Sequence, residues 1–306
     1  MRCLLIAPAS VDVQVLSGVL VDQGFDVLSA SELGAGVTLA QAAIDQVDCA
    51  VAVLPSQPAP TIEGLAAVFI EIGVVAGRGF PILVIVEPPE TPPPALAGAT
   101  IVRAPVNHVD ALRLHLRMFM LSVASGGARQ RLNPPVALEP SSLAGFRARL
   151  EAIRNPSRHH GGASGGVGAS ARGMQLERLV HDILSVAGAV MATNVELSTD
   201  TRQEADAVAY IPGTENVLGT IIVEVKLRRL TGADLQSAEQ QLLSHMKAGR
   251  VGFGLLVHDE LATEAHKVRP TPFMLALSID ELLNELEHMP LGELLVRARN
   301  RAVHGA

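Results

Sequence analysis

The chain has 306 residues, almost half of them apolar, with one Tyr, seven Phe, no Trp and a formal charge of −7. That length suits two domains with a core each, and a core so poor in aromatic residues must be built from Val, Leu, Ile and Ala, as in α/β layers. The acidic balance argues against a dedicated nucleic-acid binder, and no apolar run reaches the roughly 18 residues of a membrane span.

The first 120 residues alternate strand-like and helix-like runs. "CLLIAP" reads as a strand and "VDVQVLSGVLVDQG" as a helix ending at Gly24. "FDVLSA" is a second strand, "VTLAQAAIDQV" a helix, "DCAVAVLP" a third strand, "IEGLAAVFIEIGVVAGRG" a helix and "PILVIVEP" a fourth strand. "ATIVRAP" supplies a fifth strand and "VDALRLHLRMFMLSVA" a closing helix. Continuous apolar strands separated by helices predict a parallel sheet covered on both faces. Cys3 and Cys49 lie within such strands and read as small buried side chains of a reduced, cytoplasmic protein, with no disulfide framework or zinc cluster.

These elements form a first domain over residues 1–123. Residues 124–172 read as a linker rich in Gly, Pro and Ser, carrying a basic excess and one short helix, "AGFRARLEAIRN". A second α/β domain spans 173–306. It opens with the helix "MQLERLVHDILSVAGA", continues through the strands "ADAVAYIP" and "TIIVEVKL", the helix "GADLQSAEQQLLSHMKAG" and the strand "VGFGLLVHD", and ends in a largely helical tail. Ser278 and Glu281 stand where a capping box would start that tail.

Three charges interrupt the apolar strands of this domain: Asp206, Glu224 and Lys226. A buried charge is costly unless it is paired or holds a metal. Glu224 and Lys226 are two residues apart and share a strand face, and Asp206 is expected to open the adjacent strand and to meet them at one end of the sheet. Two carboxylates beside an ammonium suit phosphodiester hydrolysis: the acids hold Mg²⁺ or Mn²⁺, and the lysine stabilises developing charge.

Glu177 on the first helix, Asp206, the strand "EVK" and "QQLLSHM" on the next helix together resemble the PD-(D/E)XK nuclease superfamily in its Mrr-like restriction-endonuclease branch, over residues 172–260. The resemblance implies metal binding by Asp206 and Glu224, a catalytic Lys226, an accessory acid at Glu177 and a site glutamine at Gln241, with Gln240 as the competing register. His245 stands where the family often has Tyr and reads as an ordinary helix-surface residue. Glu204-Ala205 replace the proline of the family name. DNA contacts are expected from Arg228, Arg229, Lys247 and Arg250, gathered around the site, and from the basic stretch Arg147, Arg149, Arg154 and Arg158.

The first half is similar to the flavodoxin-like (Rossmann-like) group that includes Toll/interleukin-receptor-like and nucleoside 2-deoxyribosyltransferase-like domains, on Asp48 through Leu54, Glu71-Ile72-Gly73 and Gly79-Phe80-Pro81. The resemblance implies a nucleotide-sensing or partner-docking domain, with Ser10, Ser31, Ser56 and Glu71 as candidate nucleotide contacts. The combined expectation is a cytoplasmic, metal-dependent deoxyribonuclease of the restriction or defence type, open to homo-oligomerisation, whose Gly-rich link lets the halves rearrange. An NAD or nucleoside N-glycosidase acting through Glu71 and a catalytically silent nucleic-acid-binding scaffold stand as alternatives.

Overall fold

A computed structural model describes residues 1–29, 46–56, 61–90, 96, 98–126, 136–155, 169–198, 202–214, 217–226, 232–259 and 271–304. The apolar runs of the first half become strands β1 (Arg2–Ile6), β2 (Asp26–Ser29), β3 (Cys49–Leu54), β4 (Ile82–Val86) and β5 (Thr100–Arg103). They form one parallel sheet in the order β2-β1-β3-β4-β5, a doubly wound arrangement. Helices α1 (Gln14–Asp22) and α3 (Val109–Ala124) cover one face, and α2 (Ile62–Gly77) the other. Strand alternation explains the division: Cys3, Leu5, Val51, Val53, Leu83 and Ile85 face α1 and α3, whereas Leu4, Ile6, Ala52, Leu54, Val84 and Val86 face α2. Cys3 and Cys49 are cross-strand neighbours, wholly buried and present as free thiols. The expected helix after β2 lies almost wholly outside the described residues.

The second half is also α/β, built on a mixed sheet in the order β10-β9-β8-β7-β6. β6 (Val190–Ser198), β7 (Gln203–Tyr210) and β8 (Thr220–Lys226) run antiparallel, and β9 (Phe253–His258) and β10 (Met274–Ser278) join β8 in parallel. The sequence reading found the three inner strands but not β6 or β10. Edge strand β6 exposes Thr193, Asn194 and Glu196, so its apolar pattern is broken, whereas β10, "MLALS", is a short apolar run of only five residues. Helices α4 (Pro140–Arg154), α5 (Ala169–Val186), α7 (Ile279–Leu286) and α8 (Leu291–His304) share one core with the sheet, and α6 (Gly232–Gly249) packs on its other face. The expected capping box forms: Ser278 Oγ accepts from the Glu281 N–H, and the Glu281 carboxylate accepts from the Ser278 N–H. No described helix is long and apolar enough to cross a membrane.

The short helix of the basic stretch is α4. It buries Leu143, Phe146 and Leu150 in the second core, and its arginines pair within the protein. Arg147 meets Glu287, Arg149 meets Asp182, and Arg154 bridges Asp259 and Asp280. The expectation that Arg147, Arg149 and Arg154 serve DNA phosphates is therefore corrected, because each already faces a carboxylate; Arg158 lies outside the described residues.

The halves are joined by packing as well as by the chain. Helix α3 is apolar on two sides, giving Ala111, Leu112, Leu116 and Phe119 to the first core and Leu114 and Met118 to the α6 side of the second sheet. Gly249 permits this approach, since a Cβ there would meet Leu114 Cδ2 at 2.9 Å. Two buried hydrogen bonds cross the junction, Thr100 Oγ1 to Tyr210 Oη at 2.8 Å and His115 Nδ1 to Thr220 Oγ1 at 3.0 Å. Met118→Ala should therefore cost about 2–4 kcal/mol. In urea, fluorescence of Tyr210, the sole tyrosine, and far-UV circular dichroism should share one lowered midpoint. Midpoints that separate already in the parent protein would show that the halves unfold independently.

Candidate active site

Strand β8, "TIIVEVK", divides its side chains between two cores. Ile221, Val223 and Val225 enter the core that holds α5, whereas Ile222 meets Leu242 and Met246 of α6. Glu224 has the parity of Ile222, so the pleat turns a carboxylate toward α6, where it is 0% exposed. Close docking of the helix depends on Gly254 of β9, where a Cβ would meet Met246 Sδ at 2.7 Å and Leu242 at 2.9 Å.

Three side chains surround that carboxylate. Lys226 Nζ donates to Glu224 Oε2 at 3.2 Å and to Gln241 Oε1 at 3.1 Å. His245 Nδ1 bonds Glu224 Oε1 at 2.5 Å from one helical turn beyond Gln241. Burial alone would raise the Glu224 pKa, but the His245 hydrogen bond and the Lys226 charge outweigh it and hold the group below the usual carboxylate range. The expectation that His245 is an ordinary surface residue is corrected: it is 6% exposed and bonded to the central acid. Gln241, not Gln240, is the helix residue that reaches Lys226.

Asp206 is the fourth residue of β7, not its first. The β7–β8 ladder ends at the Ala207–Val223 pair, and one step further Asp206 stands across from Glu224. A continued ladder would pair Val225 with Ala205. Instead the Val225 N–H donates to Asp206 Oδ2 at 2.8 Å, so the acid is fixed where the strands part. Burial, and then the Glu224 charge, raise the Asp206 pKa to about 6, against the opposing pull of the Val225 N–H and Lys226. Glu177 on α5 adds a smaller repulsion and lines a cavity of about 420 Å³ with Asp206. The structure thus brings together Asp206, Glu224, Lys226, Gln241 and, at the periphery, Glu177.

Asn194 also lines this cavity and was missed by sequence reasoning. It stands opposite Asp206 in the β6–β7 register with φ of 48°, a left-handed conformation that Asn tolerates better than most residues. Such conformations recur at functional sites, but no local motif announces one in "MATNVELS". His258, also missed, is the β9 neighbour of Lys226; it is 2% exposed, and its Nδ1 makes no hydrogen bond. Nothing in "VGFGLLVHD" distinguishes it from a strand-end residue.

Could the acids hold a metal? Among the described residues no group of three or more His, Cys, Asp or Glu side chains is arranged to do so. Asp206 and Glu224 are a pair. A pair suits Mg²⁺, which keeps several of its waters and takes only one or two protein carboxylates. The elevated Asp206 pKa reflects burial first and repulsion by Glu224 second, and a bound cation offsets both; each carboxylate oxygen, although hydrogen-bonded in Glu224, retains a second lone pair.

The remaining expected contacts disperse. Arg228, Arg229 and Ser31 lie outside the described residues. Lys247 and Arg250 sit at the far end of α6, roughly 9 and 13 Å along the helix from Gln241, so the expected gathering of these cations around the acids is corrected. At the sheet rim of the first half, Ser10 is exposed and Ser56 donates its N–H to Glu87 Oε2 at 3.2 Å. Glu87 also accepts from the Val106 N–H at 3.0 Å, tying together the segments that follow β3, β4 and β5. Glu71 is not with the serines. Gly64 of α2 is level with Pro8 of that rim, and Glu71 lies seven residues, or about 10 Å, further down the helix. Burial raises its pKa.

Ionised Asp206 costs stability in full above pH 6, and the cost fades as pH falls from 6 through 3.8, below which the carboxyl is neutral in both states. Asp206→Asn keeps an acceptor for the Val225 N–H and removes the charge. In metal-free buffer at pH 7 it should stabilise the fold by about 1–3 kcal/mol, the lower figure allowing for solvent screening, and the gain should shrink by pH 4. A loss of stability at pH 7 would show that the two acids do not repel. No known family, curated protein or solved structure matches this chain.

Proposed function

We propose that the protein is a divalent-metal-dependent nuclease that hydrolyses phosphodiester bonds of DNA, with Asp206 and Glu224 as the metal-binding acids and Lys226 as the catalytic cation. The observation that carries this reading is geometric: the β7–β8 ladder ends where Asp206 stands across from the buried Glu224, so two carboxylates and the Lys226 ammonium share the point at which two strands separate. A purely structural ion pair needs neither a second acid nor an opening in the ladder.

Bound Mg²⁺ or Mn²⁺ would supply neutralisation of the phosphate and acidification of a water. The chain's own residues do the rest. Lys226 directs its ammonium at the charge that develops on the non-bridging oxygens, and Gln241 fixes the position of that ammonium. His245 holds the Glu224 carboxylate from behind, as outer-shell partners of metal ligands do. Glu177 and Asn194 border the adjoining cavity, where the strand beside the scissile bond would lie. The resemblance of residues 172–260 to PD-(D/E)XK nucleases agrees with these roles and suggests a cytoplasmic restriction or defence effector, with the first half as a sensor or docking domain.

Supercoiled plasmid and linear duplex incubated with Mg²⁺ or Mn²⁺ test the reading. Cleavage should be lost on adding EDTA and should fall roughly 10²–10³-fold in Lys226→Ala. Asp206→Asn, expected to fold at least as well as the parent, should be equally inactive. Undiminished cleavage by both variants would remove the assignment, as would a parent protein inert toward DNA under all these conditions.

A further inference from the structure

A cavity of about 570 Å³ lies away from the acid pair. It lies where the halves meet, at the Thr220 end of β8, while Glu224 is four residues along the strand, roughly 13 Å away. Arg103 at the end of β5, Lys247 and Arg250 at the end of α6, and Arg299 of α8 line it, and no acidic residue does so among those described. None of the four makes an ion pair with a described residue. By contrast, Arg2, Arg113, Arg147, Arg149, Arg154 and Arg297 all pair with carboxylates. In a protein of net charge −7, four cations around one space, none of them paired with a described residue, repel one another unless an anion enters.

A second observation points the same way. His115 of α3 lines the cavity at 5% exposure; its Nδ1 is engaged by Thr220, and its Nε2 makes no well-formed hydrogen bond with a described residue, although the Gly249 and Arg250 backbone lies close enough to act on the ring. A buried polar atom without a well-formed partner calls for an explanation. At the mouth, Phe273 is 60% exposed, beside the half-exposed Leu243. A duplex is too wide to reach a buried histidine, whereas the volume is that of a small-molecule site.

We propose that this cleft binds a nucleotide-sized polyphosphate ligand, a nucleoside di- or triphosphate, between the two halves, with Arg103, Lys247, Arg250 and Arg299 on its phosphates and Phe273 against its base. Guanidinium and ammonium groups supply charge-assisted hydrogen bonds to phosphate oxygens. The ligand would touch β5 and α3 on one side and α6 and α8 on the other, and so would favour the docked arrangement of the halves over any open one. The site shares no residue with the acid pair and does not depend on nuclease activity.

The test uses the full-length protein in EDTA, titrated with fluorescent mant-ATP, with ATP, inorganic tripolyphosphate and a single-stranded DNA 20-mer as competitors. One saturable site per chain is expected, displaced by ATP and by tripolyphosphate. Lys247 is exposed, Arg299 is half-buried, and neither pairs with a described residue, so Lys247→Ala/Arg299→Ala should leave the fold intact, checked by the ligand-free melt. That double variant should bind mant-ATP at least roughly tenfold more weakly. Phe273→Ala should weaken ATP but not tripolyphosphate, and Asp206→Asn should bind as the parent does. The proposal is overturned by the absence of saturable binding, by equal affinity in the double variant, or by displacement with the DNA 20-mer alone.

Discussion

The second half of this protein is organised around a carboxylate that has no contact with water. An unpaired acid in the position of Glu224 would cost several kcal/mol or be protonated. It is instead ionised and clasped from two sides, by Lys226 of its own strand and His245 of α6. Both contacts follow from ordinary geometry. The two-residue repeat of a strand sets the lysine beside the glutamate, and the four-residue return of a helix sets Gln241 and His245 on one stripe facing them. The stripe arrives at the right depth because Gly254 lets α6 settle onto β9.

A satisfied buried ion pair needs no partner, and what makes this one chemically open is its setting. The β7–β8 ladder stops at Val223, and the Asp206 carboxylate takes the backbone donor that the missing pair would have satisfied. Asp206 is thereby held against the pull of solvent and next to a like charge, on the border of the cavity shared with Glu177 and Asn194. The destabilised acid is the one nearer that space, and the stabilised acid is the one behind it. Two carboxyl groups pushed apart in pKa by their surroundings are a recurring mark of sites that do chemistry.

The same strand connects this site to the rest of the molecule. Its far end, Thr220, bonds His115 of α3, and the neighbouring strand bonds Thr100 through Tyr210. Helix α3 is therefore a shared wall, and a ligand in the basic cleft beside it would contact elements of both sheets. Arginine use divides accordingly. Those of α4 face carboxylates and fasten that helix to α5, α7 and the end of β9, while Arg103, Arg250 and Arg299 line the cleft without a described carboxylate partner. A count of basic residues along the chain cannot separate these roles, because the partner acids come from elements more than a hundred residues away for Arg147 and Arg154.

Periodicity alone determined much of the architecture, though not the edge strands β6 and β10. The parallel first sheet, the inner strands β7, β8 and β9, the helices that flank them and the capping box at Ser278 all follow from short-range patterns, and local backbone preference acts over that same range. The candidate site was legible to the extent that it is local: Glu224 and Lys226 share a strand face by parity, and Gln241 falls on the next helix. Folding alone decided the rest. His245 became a partner of Glu224 only through the docking of α6, Asn194 met Asp206 only through the register of an edge strand without a clear apolar pattern, and Lys247 and Arg250 were carried away from the acids because α6 runs back along β8. Each of these depends on contacts between distant segments, whose strength is fixed by how the surfaces fit and not by any residue's immediate neighbours in the chain.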